Sequence, residues 1–332
     1  AQLGGLTDGI DGASAGEMQV ALDVGADPSH MSFAGPGKTR EEMSRAIAAG
    51  IAINLESEGQ YRGALETAAA LGVAPRLAIR INPAFELKSS GMQMGGGPKP
   101  FGIDEDRVPA LLSRMRADGL APVGLHIYSG SQNLNAEAII EAQRKSVDLG
   151  VRLAASLPNG FEWLNIGGGF GVPYFPGESA LPLGRIGEAL APLCEQAARH
   201  GAGPLVLELG RYLVAEAGVY VARVIDRKVS RDRTYLVVDG GLHHNLAASG
   251  NFGQVLRKNY PVAIGNRLDA EINESQTVVG PLCTPLDLLA DRMDLAPAQV
   301  GDLVVVFMAG AYGPSASPTA FLSHPAPAEV LV

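Results

Sequence analysis

Seven short apolar runs, each followed by a glycine-rich or polar turn and then a stretch rich in Ala, Leu, Arg and Glu, predict an α/β fold for residues 1–217. Strand and helix alternating at this spacing specify parallel βα units, because parallel neighbours need a crossover long enough to hold a helix. Beyond residue 217 the apolar runs follow one another without long helices, which predicts a second, antiparallel β domain over 218–332.

The candidate strands of the first part are GLTDGIDGAS (5–14), HMSFAG (30–35), IAINLES (51–57), RLAIRIN (76–82), VGLHIYSGS (123–131), EWLNIGGG (162–169) and PLVLELGR (204–211). Amphipathic segments lie between them, among them Ala15–Gly25, Arg40–Gly50, Glu58–Gly72 and Ala136–Leu157. A closed (β/α)8 TIM-like barrel has eight such units. We therefore expect the first βα unit to be absent from this sequence, with an open seven-unit sheet as the alternative. In the second part VYVARVIDRKVS, RTYLVVDGG, TVVGPLC and DLVVVFMAG read as strands.

Composition excludes several classes of function. With 46% apolar and 18% charged residues, the 332-residue chain can bury a large core. A net charge of -9 with scattered Lys and Arg offers nothing to neutralise a phosphate backbone, so no nucleic-acid partner is expected. No apolar run reaches the ~18 residues that span a bilayer, so no membrane partner is expected. Two distant cysteines, Cys194 and Cys283, suggest no disulfide framework and point to the cytoplasm. AGPGKT (34–39) falls short of a phosphate loop, because Ser32 stands where the pattern needs Gly. His243-His244 lacks further ligands at metal spacing, so no metal is expected.

Barrel enzymes carry their chemistry at the C-terminal ends of the strands. His126 and Tyr128 are two apart, so both face one side, the expected barrel interior. Gly167-Gly168-Gly169 lets backbone N–H groups close on an anion. Glu208-Leu209-Gly210-Arg211 places an acid and a base at one rim. In the β domain, GPLCTPLD (280–287) and GAYG (310–313) present a thiol and a phenol on turns. Taken singly, these are a loop, a core histidine, a salt bridge and a small buried thiol. Their joint arrangement favours a site.

In order along the chain stand DGASAGE (11–17), RINP (80–83), KPFGI (99–103), HIYSGSQ (126–132), GGGFG (167–171), ELGRYLV (208–214), GPLCTPLD, GAYG and FLSHPAPAEVLV (321–332). With these landmarks the chain resembles the fold-type III pyridoxal-phosphate-dependent decarboxylases, the diaminopimelate and ornithine decarboxylase family. The stretches SSGMQMGGGPKPFGI and DGGLHHNLAASGNFGQVLRKNYP look closest to the exosortase-associated and carrier-protein-glutamate decarboxylase subgroups.

The resemblance implies pyridoxal 5'-phosphate as cofactor and a homodimer with shared active sites. It also implies residue roles. Gly167, Gly168, Gly169, Gly210, Arg211, Ser131 and Tyr312 would hold the cofactor phosphate, and His126 would belong to the same cofactor site. Glu208 would pair with the pyridine nitrogen and keep it protonated. Cys283 would protonate Cα from the partner subunit, with Asp287 supporting its loop. The family's Schiff-base lysine lies on the first barrel strand, which is the strand our count lacks. None of the lysines present matches that motif, so the chain as given is expected to be inactive, through truncation rather than as a lysine-free homologue.

Two departures bear on the substrate. Tyr128 stands where the family usually has His, and it can stack on a ring but carries no imidazolium charge. Thr284 stands where basic-amino-acid enzymes carry an acid for a distal ammonium. These features argue for α-decarboxylation of an amino acid with a neutral or extended distal group, such as one tethered to an acyl carrier protein. A diaminopimelate-type decarboxylase, a racemase on the same scaffold and a non-catalytic homologue are the alternatives.

Overall fold

A computed structural model describes residues 2–86, 92–93, 95–252, 254 and 256–332. Of the motifs quoted above, residues 89–91, 94, 253 and 255 lie outside the described residues. The chain forms two compact units, one of Ala1–Phe170 with Leu181–Glu208 and one of Gly171–Ala180 with Leu209–Val332.

The first unit is built on β1 (Ile10–Gly12), β2 (Met31–Phe33), β3 (Ala52–Leu55), β4 (Leu77–Asn82), β5 (Met92–Gln93), β6 (Ile103–Asp104), β7 (Gly124–Ile127), β8 (Gly130–Ser131), β9 (Trp163–Gly168) and β10 (Leu205–Glu208). Its main sheet runs β1-β2-β3-β4-β7-β9-β10, all parallel, with β6 added beside β4. All seven predicted strands are therefore present, each trimmed at its ends, in a nearly closed parallel barrel sheet. β5 and β8 form a separate antiparallel pair.

Helices α1 (Ala15–Asp23), α2 (Arg40–Ala49), α3 (Glu58–Leu71), α4 (Val108–Ala117), α5 (Ala136–Ala154) and α6 (Leu183–Arg199) supply the crossovers. Their starts are written locally. Ser14, Thr39, Ser57 and Asn135 each accept a backbone N–H from the first turn, and Thr39 with Glu42 forms a full capping box. Gly50 and Gly72 close α2 and α3 at φ 78° and 65°, a conformation glycine adopts without strain.

Strand register separates the two faces of this sheet. Phe33, Ile53, Ile79, Leu125 and Leu164 face the helices and are buried with Met43, Ile47, Leu111 and Val147. The opposite face carries the alternate residues. Asp11 pairs Ser32, Asn54 pairs Ala78, Arg80 pairs His126, and His126 pairs Asn165. Because side chains alternate with period two, Asp11, Ser32, Asn54, Arg80, His126 and Asn165 lie on one surface, one from each successive strand. A barrel interior is ordinarily filled by branched apolar residues. Here one layer is polar, and that layer is the frame of the site.

The second unit holds α7 (Gly210–Val214) and strands β11 (Tyr220–Ser230), β12 (Arg233–Val238), β13 (Val262–Ile264), β14 (Glu274–Val279), β15 (Leu288–Leu295) and β16 (Leu303–Val306). The order is β13-β16-β11-β12-β14-β15, antiparallel except where β12 pairs parallel with β14. Ala222, Val224, Leu236, Val238, Val278, Leu289 and Val304 form its core, joined by Tyr174 from the 171–180 segment. β15 has the sequence LLADRMDL, whose Leu, Ala, Met and charges read locally as helix. Pairing with β14 overrides that preference.

One expectation needs correction here. Gly210 and Arg211 do not extend the last barrel strand. The strand ends at Glu208, and both residues sit in the first turn of α7.

Candidate active site

Glu208, at the end of β10, is the acid on the last strand of the polar layer. Its Oε1 accepts a hydrogen bond from Asn165 Nδ2 at 2.6 Å and lies 3.1 Å from His126 Nε2. The His126 contact is close but off hydrogen-bond alignment, so both ring nitrogens are buried without an aligned partner. Burial alone would raise the Glu208 carboxyl, but the charge and contact of His126, the Asn165 bond and Arg80 outweigh it and hold the acid below its ordinary range. Glu208 therefore stays ionised while both contacts occupy Oε1. Oε2 has no hydrogen-bond partner among the described residues.

Asp11 closes the layer on the other side. It accepts hydrogen bonds from Ser32 Oγ and, at 3.4 Å, from Asn54 Nδ2. Burial among these side chains, then the charge of Glu208, raise its carboxyl to about 7, against the pull of His126, Ser32 and Arg80. Water nevertheless reaches Asp11 on its edge strand. Repulsion from Glu208 is therefore the cause that acts on this water-exposed carboxyl. Two acids in one ring with their protonation pushed apart are what proton chemistry near neutrality requires.

Arg80 is fixed from behind. It donates to Glu56 Oε1 at 3.0 Å and stacks on Phe101 at 5.1 Å. Glu56 also accepts the Gly35 and Gly102 amides, and Lys38 Nζ lies 3.7 Å away. Lys38 donates to the Gly35 and Asn54 carbonyls at 2.6 and 2.7 Å and to Gln60 at 3.4 Å. Two buried cations thus share one buried carboxylate. Burial pulls the Lys38 ammonium down to about 8, partly opposed by Glu56.

Tyr128 follows β7, edge-on to His126 at 6.4 Å, and its hydroxyl lies 3.1 Å from Ser131 Oγ on β8. The glycine run ends β9. A Cβ on Gly168 would lie 1.8 Å from the Glu208 carbonyl oxygen, and one on Gly169 1.9 Å from that of Gly130. Gly167 and Gly169 also have φ of 73°. These glycines are required by the approach of neighbouring backbone and by the turn itself, beyond any room they leave for an anion.

In the second unit, Arg211 lies over the Tyr312 ring at 4.7 Å. Cys283 is an exposed free thiol in the 280–287 turn, beside half-buried Thr284. Asp287 is 3% exposed, and its two oxygens accept the Leu242 and Leu282 amides at 2.7 and 2.9 Å. It is the internal brace of the Cys283 loop. The Tyr220 hydroxyl lies 3.1 Å from His244 Nδ1, whose ring stacks on His243 at 3.8 Å. Among the described residues no group of three His, Cys, Asp or Glu side chains could hold a metal ion.

Sequence reasoning singled out His126 and Glu208 but passed over Asp11, Arg80, Glu56, Lys38 and Asn165. Arg80 and Asp11 stood inside landmark motifs, and strand parity was the signal that could have joined them to His126.

Residues 1–215 match the family model described as pyridoxal-dependent decarboxylase, pyridoxal binding domain. The chain belongs to that family. It is 41% identical over 330 residues to the L-glutamyl-[BtrI acyl-carrier protein] decarboxylase of Niallia circulans, covering 97% of this chain and 77% of the relative. It is 32% identical over 328 residues to the diaminopimelate decarboxylase of Archaeoglobus fulgidus, covering 98% and 76%. The fold matches the crystal structure of diaminopimelate decarboxylase from Helicobacter pylori complexed with L-lysine, with a TM-score of 0.86 at 28% identity, covering 98% and 79%. As a member of this family the protein is a pyridoxal-phosphate-dependent carboxy-lyase acting on an amino acid.

The polar layer fits that cofactor. An ionised carboxylate with one oxygen open suits a protonated pyridine nitrogen, and His126 Nδ1 is a buried polar atom with no hydrogen-bond partner among the described residues. Among the described residues no helix is long and apolar enough to cross a membrane.

Proposed function

We propose that this decarboxylase removes the α-carboxyl group of an amino acid whose distal end carries no ammonium, in particular a glutamate-like residue held on an acyl carrier protein. Thr284 carries this reading. It follows Cys283 directly, and its Oγ1 accepts the Leu286 amide at 3.3 Å. A neutral hydroxyl engaged in its own turn leaves a buried substrate ammonium unpaired, which costs several kcal/mol. The 41% identity to a decarboxylase of carrier-bound L-glutamate points the same way.

In this reading Glu208 would hold the pyridine nitrogen protonated, and His126 and Tyr128 would line the same cofactor site. By the family motifs, the backbone of Gly167, Gly168, Gly169 and Gly210, the hydroxyls of Ser131 and Tyr312, and the guanidinium of Arg211 would be the groups that hold the phosphate. Pyridoxal phosphate, when bound, supplies the electron sink that accepts the electron pair of the breaking Cα–carboxyl bond. Cys283 Sγ would be the group that gives its proton to Cα, and Asp287 keeps that thiol's loop in shape. By resemblance to the family, Cys283 would act in the site of a second subunit, which supports a homodimer as the working enzyme. Two free, unpaired thiols accord with a cytoplasmic location.

The test is CO2 release by the full-length, cofactor-loaded protein from an L-glutamyl carrier-protein thioester and from free diaminopimelate, lysine and ornithine. We expect turnover of the thioester and little of the diamino acids. The opposite order would overturn the substrate assignment.

A further inference from the structure

Arg211 differs from most of its charged neighbours in the second unit in what holds it. Arg227 pairs with Glu274 at 2.6 Å and Arg267 with Asp302 at 2.6 Å. Arg211 is half-buried and has no carboxylate within ion-pair distance among the described residues. Aromatic groups hold it instead. Its guanidinium carbon lies 4.7 Å from the centroid of Tyr312 and 5.8 Å from that of Tyr174, and Nη1 donates to the Tyr174 hydroxyl at 3.3 Å.

The two tyrosines are not equivalent. Tyr312 is 45% exposed on a left-handed backbone, φ 55°, with Phe252 6.0 Å away. Tyr174 is 4% exposed and packed at 4.9 Å on Tyr260 and 6.2 Å from Phe175. Its backbone N–H and that of Phe175 both donate to Glu178 Oε2, at 3.0 and 3.2 Å. Tyr174 is therefore a fixed wall, and its hydroxyl is a fixed acceptor. A carboxylate in that place would fix the guanidinium equally well but would neutralise it and repel an incoming anion. Neutral rings and a phenol orient it while leaving its full charge available.

We infer that Tyr174 is a positioning residue that orients an uncompensated Arg211 for binding an anion, which in the reading above is the cofactor's phosphate. This inference rests on the proposed cofactor site above. It adds a residue from the 171–180 segment that none of the sequence motifs contains.

The experiment compares the full-length apoprotein with its Tyr174→Phe and Tyr174→Leu variants, titrated with pyridoxal phosphate, with pyridoxal lacking the phosphate, and with inorganic phosphate as competitor. Loss of the guanidinium–phenol hydrogen bond in Tyr174→Phe should weaken pyridoxal phosphate and inorganic phosphate about tenfold. Affinity for pyridoxal lacking the phosphate should match wild type. Tyr174→Leu should weaken phosphate binding further, and Phe at this position should restore the part that depends on the ring. Wild-type phosphate affinity in Tyr174→Phe, or equal weakening of pyridoxal and pyridoxal phosphate, overturns the inference and leaves the cofactor assignment standing. A wild-type protein that takes up no pyridoxal phosphate overturns both.

Discussion

Glu208 Oε1 sits 3.1 Å from His126 Nε2, joining the last strand of the polar layer to its centre and holding the acid ionised inside a protein wall. In the proposed reaction, that carboxylate would be the group that keeps the ring nitrogen protonated.

Glu208→Gln preserves the shape and the Asn165 contact but removes the charge. We expect kcat to fall on the order of 10²–10³-fold, as when one charge-stabilising group is removed from an active site. Cofactor uptake should change far less. Equal losses in both would mean that Glu208 only binds, and would remove it from the electronic role.

Asp11 gives a pH signature. Its carboxyl is raised to about 7 in the folded protein against about 3.9 in an unfolded chain. A raised acid contributes stability that is fully present below the unfolded value and is lost as pH climbs through the folded one. Wild-type protein should therefore lose stability between about pH 4 and pH 7 relative to Asp11→Asn. Chemical denaturation across that window measures the difference, and parallel curves would show that Asp11 is not perturbed.

Lys38 has the opposite sign. Its ammonium is pulled down to about 8, against about 10.4 unfolded, so the unfolded chain binds the extra proton between those values and stability rises with pH across them. Lys38→Met should flatten that rise. It should also cost about 2–5 kcal/mol at neutral pH, because the Gly35 and Asn54 carbonyls lose their donor and the Glu56–Arg80 pair is left with one cation. A variant with wild-type stability would show the cluster to be dispensable.

Lys38 also marks where the sequence stopped being legible. The seven parallel strands could be read because each carries its own apolar run and turn, and His126 and Glu208 because they stand at strand ends. Lys38 sits in a segment that nearly spells a phosphate loop, and rejecting that motif discarded the lysine too. Its role depends on Glu56 and Arg80, carried by different strands, and their meeting is a fact of register. Tyr174 was hidden for another reason. It lies in a short Pro-containing stretch after the glycine run, and nothing local tells that 171–180 packs with the second unit. β15 was missed because its composition favours a helix and only pairing with β14 makes it a strand.

Gly168→Ala should disable the barrel end without altering a polar side chain. The added Cβ would lie 1.8 Å from the Glu208 carbonyl oxygen, which is backbone and cannot swing aside. β9 and β10 must part locally, moving Glu208 with them. We expect a stability loss of about 1–3 kcal/mol, in the range of overpacking. Pyridoxal phosphate affinity should fall with it. An alanine variant that binds cofactor normally would show that this turn tolerates displacement.

Asp287 separates loop order from proton transfer. Its two carboxylate oxygens each accept one backbone amide, from Leu242 and Leu282, and a Cβ on either Gly241 or Gly280 would lie 2.2 Å from one of them. Asp287→Asn is nearly isosteric, but it turns one acceptor into an NH2 donor facing an N–H. One of the two amides then loses its partner inside the protein, at a cost of about 1–3 kcal/mol. The damage falls on the turn that presents Cys283, so kcat should drop while cofactor affinity, set by the other residues, stays near wild type. Cys283→Ala should lower kcat without the stability loss. Should Asp287→Asn in the Cys283→Ala background lower kcat by as much as it does alone, Asp287 would act through something other than the thiol. Should it add nothing further, the two residues form one unit, which is what the buried brace predicts.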